Sequence, residues 1–359
     1  MKIGIMTFHR TTNFGATLQA VATGMILKEI GCVCEIVDYT NHNIEMRENP
    51  SFSSNGIGIN ALIFKVFRRP KLIRKYNELF RFLKENVCIS KKIELYELKD
   101  WLKKYDAVLI GSDMLWNLKF TDGDYSYFLD MDLLGTRKMA FATSAGCIWS
   151  NDEREKISDY LDKFTGIAVR EYDLANEVES IIGRKVPVVC DPTMLVKPDV
   201  WSEFADKSNI NLSNYGLIYM DDSNRHCYEY ALNYMKEKKA KLYEVTYKPI
   251  FRRKPSLECV EAYSVEDFLK LIRDANVLFT ASYHGMLFAI YFHVPFVYYN
   301  KDKSRLQNIA TYFQLEGCNV ESGEYDIVID WDNVDVLRNK LVDGSFRILN
   351  EMIYEENNM

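Results

Sequence analysis

The sequence predicts an α/β protein of two Rossmann-like, doubly wound domains facing each other across a cleft. Three observations lead there. Short apolar runs of strand length alternate with segments whose apolar residues recur at helical spacing. The first strand, helix and strand fit within about 40 residues, the span of a parallel βαβ unit with a right-handed crossover. The 359 residues exceed what one core usually organises, and a second strand–helix series begins near residue 215.

In chain order, KIGIMTF (2–8) reads as a buried strand, HRTTNFG as a loop, ATLQAVATGMILKEIG as a helix and CEIVDY (34–39) as the next strand. Further strands are expected at DAVLIGS (106–112), KMAFATSA (138–145), GIAVRE (166–171) and VPVVCD (186–191), with helices at NDEREKISDYLDKF and YDLANEVESII. The second series has NYGLIYMD, KLYEVTY, NVLFTAS and PFVYYN as strands, and HCYEYALNYMKEKK, VEDFLKLIRDA and GMLFAIYFH as helices. The polar stretch near 193–214 marks the junction, which gives an N-terminal domain of residues 1–195 and a C-terminal domain of residues 196–330. Residues 331–359 are expected to be helical and to cross back to the N-terminal domain.

Composition narrows the class. With 48% hydrophobic and 27% charged residues the chain is that of a soluble globular protein, and its net charge of −6 argues against a general nucleic-acid binder. MKIGIMTFHRTTNFG lacks the apolar core of a signal peptide. The longest apolar run, MLFAIYFHVPFVYY, is interrupted by His293 and Pro295, short of the roughly 18 residues a membrane span needs. The eight cysteines form no CxxC, and no His-rich cluster accompanies them. Neither a metal site nor a disulfide framework is expected, Cys32 and Cys34 read as core filling, and the protein is expected in the reducing cytoplasm.

Ligands of doubly wound folds bind beyond the carboxyl ends of the strands, so the strand-exit turns carry the chemistry. Five such turns are polar: HRTTNFG, GSDMLWN, TSAG, VREYD and ASYHG. In the first, Asn13 caps the following helix, or the helix start at Gly15 offers N–H groups to an anion. Asp38 lies where a dinucleotide fingerprint would place its acid, but the GxGxxG that must precede it is absent. In GSDMLWN, Ser112 can donate to a ligand oxygen, Asp113 can act as base or hydroxyl acceptor, and Trp116 and Asn117 offer the flat and polar faces of a sugar site. An ordinary turn with a half-buried Trp is the other reading. Arg170, straight off an apolar strand, needs an anion: an internal carboxylate such as Glu171 or Asp191, or a bound phosphate or carboxylate. His284 opens a helix beside Gly285, which would let a ligand approach the backbone, and is either a core histidine or a working imidazole. FKVFRRPKLIRKYNELFRFLKEN (64–86) carries eight Lys or Arg against two Glu at helical spacing, a solvated basic face or a surface for anionic lipid.

Taken together, TNFGATLQA, GSDMLWN, FLDM with FATSAG, VREYDLANEVESIIGRKVPVVCDPTMLV, VEDFLKLIRDANVLFTASYHGMLFAIYFHVPFV and SRLQNIATYFQLEG resemble the polysaccharide pyruvyl transferase family. The resemblance covers nearly the whole chain. It implies a GT-B-like pair of domains and transfer of the pyruvyl group of phosphoenolpyruvate to a sugar of a cell-surface polysaccharide, as in exopolysaccharide or capsule, forming a cyclic ketal. Phosphoenolpyruvate is then a co-substrate, with no cofactor or metal, and the acceptor is a sugar or lipid-linked oligosaccharide. On this basis His284 is the proton shuttle and Asp113 a second catalytic candidate. Arg170, Ser112, Ser282 and the Asn13–Gly15 turn are anion-site candidates, and Trp116 and Asn117 would contact the acceptor. Location at the inner face of the cell membrane is expected, with peripheral contact through 64–86.

The chain departs from the family pattern where Ser282 stands two residues before His284. Relatives with established pyruvyl transfer carry arginine there, and Arg305 in KDKSRLQN would have to replace it. Met114 stands where glutamine is common. Two other readings stay open: a GT-B glycosyltransferase using a nucleotide-sugar, and a non-catalytic glycan-binding or assembly protein.

Overall fold

The protein is described from a computed structural model over residues 1–52, 58–146, 149–220, 225–299, 304–322 and 327–354. It divides into two compact units. The first contains residues 1–52, 80–196 and 339–359; the second contains 53–79 and 197–338. The division is not sequential: an excursion after the second strand joins the second unit, and the final helix, Trp331–Tyr354, begins with the second unit and ends with the first.

The first unit is built on a six-stranded sheet. Its strands are β1 (Lys2–Met6), β2 (Val33–Tyr39), β3 (Ile89–Ile93), β4 (Ala107–Asp113), β5 (Arg137–Thr143) and β6 (Gly166–Val169), in the order β3-β2-β1-β4-β5-β6. Every pairing is parallel. The central strands are buried on both faces, so they read as continuous apolar runs. Helix 14–29 has thirteen buried residues of sixteen, which explains its lack of a polar stripe. The core gathers Val108, Ile110, Trp116, Phe128, Phe164 and Val169.

The second unit holds β7 (Tyr215–Tyr219), β8 (Lys241–Val245), β9 (Glu258–Val260), β10 (Val277–Thr280) and β11 (Phe296–Tyr298), in the order β11-β10-β7-β8-β9, again all parallel. Helix 265–273 starts from a reciprocal capping box between Ser264 and Asp267 and turns Phe268, Leu269, Leu271 and Ile272 inward. Both strand orders reverse beside the first strand of their sheet, at β1/β4 and at β7/β10.

Three elements differ from the sequence expectation. VPVVCD forms only a single bridge, Val169 to Val188, because Pro187 has no N–H to donate and Pro192 opens the next helical turn. The edge strands β3 and β9 carry no apolar alternation: β3 is ISKKI, with Lys91 and Lys92 exposed, a composition that guards a sheet edge against pairing. Among the eight cysteines, the seven described are free thiols, and Cys147 lies outside the described residues. Burial pushes the Cys34 thiol up to about 11 and the Cys190 and Cys227 thiols up to about 12. No helix among the described residues is long and apolar enough to cross a membrane.

One close approach fixes β1. A Cβ on Gly4 would stand 2.6 Å from a ring carbon of Tyr105. That ring is held by its hydroxyl, which donates to Glu35 at 2.8 Å and accepts from Trp101 at 3.0 Å. Gly4→Ala is therefore expected to destabilise the protein by about 1–3 kcal/mol through overpacking. An unchanged midpoint in chemical denaturation would show that the tyrosine yields freely.

Candidate functional site

Polar groups collect at both strand-order reversals. In the first unit the loop leaving β1 is locked to helix 14–29 by Gln19, which is fully buried. Its side-chain amide donates to the Thr7 hydroxyl at 2.8 Å and to the Ala16 carbonyl at 2.8 Å. Asn13 is exposed and caps the helix: its side-chain oxygen accepts the Gly15 N–H at 2.9 Å. The plain-cap reading is thus the one realised, and the Gly15 N–H assigned above to an anion is already engaged.

Next to this loop sits a cluster that the sequence reading did not assemble. Asp38, at the end of β2, accepts two hydrogen bonds from the Arg10 guanidinium, each at 2.6 Å. The buried His9 ring has Nε2 3.0 Å from the same carboxylate and Nδ1 2.8 Å from the Thr7 carbonyl oxygen. Burial alone would raise the Asp38 carboxyl, but the hydrogen bonds from Arg10 and His9 outweigh it and hold the group well below the usual carboxylate range. A signal existed: a His-Arg pair straight after one strand, and an acid at the end of the strand that pairs with it. Thr11 continues the network by donating to Glu48 at 2.9 Å.

Over these groups lies a cavity of about 130 Å³, lined among others by His9, Arg10, Thr11, Asn13, Glu48 and Asp113. It opens at the carboxyl ends of β1, β2 and β4, the crevice that the strand order leaves uncovered. Asp113 takes a left-handed backbone (φ 76°), and its side chain accepts the Met114 N–H at 2.9 Å. A non-glycine residue in that conformation stores strain that the surroundings must hold, a pattern common at binding sites. The structure thus brings Asn13 and Asp113 to one cavity in which the Arg10 charge is answered by Asp38 and the Glu48 carboxylate by Arg47 at 3.1 Å.

Arg170 and Ser112 belong to a different group in the same unit. The Arg170 side chain is 1% exposed and donates to Asp191 at 2.6 Å and to Ser112 at 3.3 Å. Ser112 in turn donates to Asp191 at 3.1 Å, and Asp191 accepts from the Thr193 N–H and hydroxyl at 3.0 and 2.7 Å. Glu171 lies 3.8 Å from Arg170 and accepts from Ser144 at 2.8 Å. The internal ion pair, one of the two readings of Arg170, is present. Trp116 corrects the acceptor assignment: it is fully buried, stacked on Phe128 at 5.4 Å, and its indole N–H donates to the Tyr127 carbonyl at 2.9 Å. No face of it is left for a sugar. Asn117 is half-buried and accepts the Phe120 N–H at 2.9 Å within a turn.

In the second unit Ser282 is the N-cap of helix 283–291, accepting the Gly285 N–H at 3.2 Å. Packing also favours glycine at 285, since a Cβ there would stand 2.7 Å from the Thr280 hydroxyl. His284 is 8% exposed in the first turn of the helix, with the Tyr283 ring edge-on at 5.2 Å. The Arg305 guanidinium carbon lies 6.0 Å from the centre of that tyrosine ring, which brings Arg305 to the same turn. Lys301 to Lys303 of KDKSRLQN lie outside the described residues.

Two outcomes test these assignments. Asp191→Ala leaves the Arg170 charge buried beside fewer acceptors and is expected to destabilise by about 3–5 kcal/mol, read as a fall in thermal midpoint; a midpoint equal to that of the native protein would contradict it. Asp38 has a depressed carboxyl, so its contribution is complete above the unfolded value of about 4 and declines as pH falls below it. Asp38→Asn should therefore lower stability at neutral pH and flatten acid unfolding between about pH 4 and 2 relative to the native protein. Parallel acid curves for the two proteins would rule this out.

A profile of the polysaccharide pyruvyl transferase family matches residues 13–302. No curated protein matches the chain in sequence. Among solved structures, UDP-GlcNAc 2-epimerase from Neisseria meningitidis superposes over 99% of this chain and 100% of its own, with a TM-score of 0.55 and 12% identity. UDP-GlcNAc 2-epimerase from Methanocaldococcus jannaschii also covers 99% of this chain and 100% of its own, with a TM-score of 0.50 and 12% identity. The likeness is one of fold, two parallel-sheet α/β domains of the GT-B type. The family match spans four fifths of the sequence, from the helix-capping Asn13 through the His284 turn, and the chain belongs to the polysaccharide pyruvyl transferase family.

Proposed function

We propose that the protein transfers the pyruvyl group of phosphoenolpyruvate to two hydroxyls of a sugar in a cell-surface polysaccharide, forming a cyclic ketal. The family match over residues 13–302 carries this reading. The enol CH2 takes up a proton and becomes the methyl group. One sugar oxygen bonds to the carbon that bears the carboxylate, a second closes the ring, and phosphate departs with the remaining proton. A group that gives and takes protons near neutral pH is needed, and His284 is assigned that role. Asp113 is assigned to orient or deprotonate an acceptor hydroxyl.

The chemistry of the two reversals favours dividing the substrates between them. The cavity beside Asp113 and Glu48 offers carboxylate oxygens that can accept from sugar hydroxyls, and its cations Arg10 and, beside Glu48, Arg47 already pair with internal carboxylates, so we assign it to the acceptor. The turn at Ser282–His284 lies at the N-terminus of a nine-residue helix, with Arg305 nearby, and is assigned to the donor.

The direct test incubates the protein with phosphoenolpyruvate and a panel of nitrophenyl and lipid-linked sugars, reading phosphate release and product mass. Phosphate released together with a pyruvylated sugar supports the proposal. Turnover of a nucleotide-sugar in place of phosphoenolpyruvate would make the protein a glycosyltransferase. Tight sugar binding with no turnover of either donor would make it a glycan-binding member of the family. In the active assay His284→Asn, which keeps approximate size but cannot shuttle a proton, should lose about 10²–10⁴ in kcat at unchanged thermal midpoint. Full activity of the folded variant would make the histidine structural.

A further inference from the structure

The basic stretch 64–86 divides in two. Within helix 69–86, Tyr76, Leu79, Phe82 and Leu83 are buried, so its later half is a core element and not a free face. The preceding residues behave differently. Residues 59–63 form a short helix and 64–68 a π-helical turn, and Ile59, Leu62, Val66 and Phe67 are all exposed, Ile59 by 75%. A second element of the same unit extends this surface: the loop after β8 exposes Ile250 by 81% and Phe251 by 62%. The two are joined, since the Phe67 and Phe251 rings meet edge to face at 5.5 Å and Arg252 donates to Asn60 at 2.6 Å.

The charge within the two segments is of one sign. No acid occurs between 58 and 76 or between 245 and 257. Lys65, Arg68 and Arg252 are exposed among the apolar residues. The neighbouring cations are otherwise occupied: Lys71 and Arg253 pair with Glu261 at 2.5 and 2.7 Å, and Arg74 lies over the Tyr263 ring at 4.2 Å. Lys75 points inward, where burial brings its ammonium down to about 7. The protein as a whole is acidic, at −6, so this basic and apolar patch stands against the sign of the molecule.

We propose that this composite patch seats the second unit on the surface of an anionic lipid bilayer, with the aliphatic and aromatic tips entering the headgroup boundary and the cations meeting lipid phosphates. A second copy fits poorly, because a self-complementary contact would set each basic rim against its twin. A nucleic acid would pair with the cations but leave Ile59, Leu62 and Ile250 unburied. The inference does not rest on the pyruvyl reaction.

The test uses the full chain and sedimentation with vesicles of phosphatidylcholine, with and without phosphatidylglycerol. Retention is expected on the anionic vesicles and not the neutral ones, and it should fall as salt rises. Lys65→Glu combined with Arg68→Glu should weaken retention by about tenfold or more, given the contribution of each basic residue near such a surface. Phe67→Ser combined with Phe251→Ser alters only exposed side chains, leaves the charge unchanged, and should also reduce retention. Equal retention on both vesicle types, or on neither, overturns the proposal. So does unaltered retention of the phenylalanine variant, which would reduce the patch to charge alone. Capture by a single-stranded oligonucleotide without vesicle retention would assign the surface to nucleic acid instead.

Discussion

The reversal of strand order beside the first strand of each sheet is the constraint on which the rest depends. Parallel strands require crossovers of one hand, so helices that follow strands on opposite sides of the reversal diverge to opposite faces. Between them the carboxyl ends of β1 and β4, and of β7 and β10, stay uncovered by helix. Backbone and side-chain polar groups at those ends need partners. Gln19 and Asn13 supply them by tying the β1 exit to its helix, and Ser282 does the same after β10. The conformation that makes room for a ligand is held by groups that never need to touch one.

Much of this was legible because buried parallel strands and buried helices announce themselves through apolar continuity. KIGIMTF, DAVLIGS and NVLFTAS could hardly lie anywhere but inside a sheet. What sequence could not supply was the fate of each polar atom at a strand exit. Trp116 in GSDMLWN has the composition of a sugar platform, yet the following residues fold back so that Tyr127 and Phe128 enclose it. Gly285 has the composition of a ligand approach, and its neighbour Thr280 adds a packing reason for glycine that the sequence does not show. Residue type indicates what a side chain can do, while its neighbours decide whether the capability is still available. The edge strands were missed for the opposite reason, since ISKKI is selected to discourage pairing and carries little apolar signal.

Electrostatics separates the polar clusters of the first unit. Around Asp38 the carboxylate is held by a bidentate guanidinium, and that pairing leaves Arg10 with little attraction for a further anion. Around Arg170 the guanidinium is nearly inaccessible and two carboxylates are within reach. Neither arginine is therefore a simple surface cation awaiting a phosphate. Asp113 and Glu48 lie on the wall of an open cavity, with Glu48 itself paired to Arg47 at 3.1 Å.

The serine at 282 is fixed in place by the helix it starts. As an N-cap its hydroxyl satisfies the Gly285 N–H, which an arginine at the same position would have to leave to water or ligand. On the proposed donor assignment the cation for this turn is Arg305 of the next helix, 6.0 Å from the Tyr283 ring. The family profile match ends at residue 302, three positions before Arg305, so that match by itself does not extend to this cation. A guanidinium held over an aromatic ring keeps its direction better than one on a free side chain. If donor binding has moved from the turn to the helix behind it, Arg305 and Tyr283 act as one unit, the ring setting where the charge can reach. Arg305→Lys would keep the charge but lose the planar fork, and is expected to raise the KM for phosphoenolpyruvate more than it lowers kcat, with the thermal midpoint unchanged. Equal kinetics in the two proteins would remove Arg305 from the donor site and return the missing cation to another part of the chain.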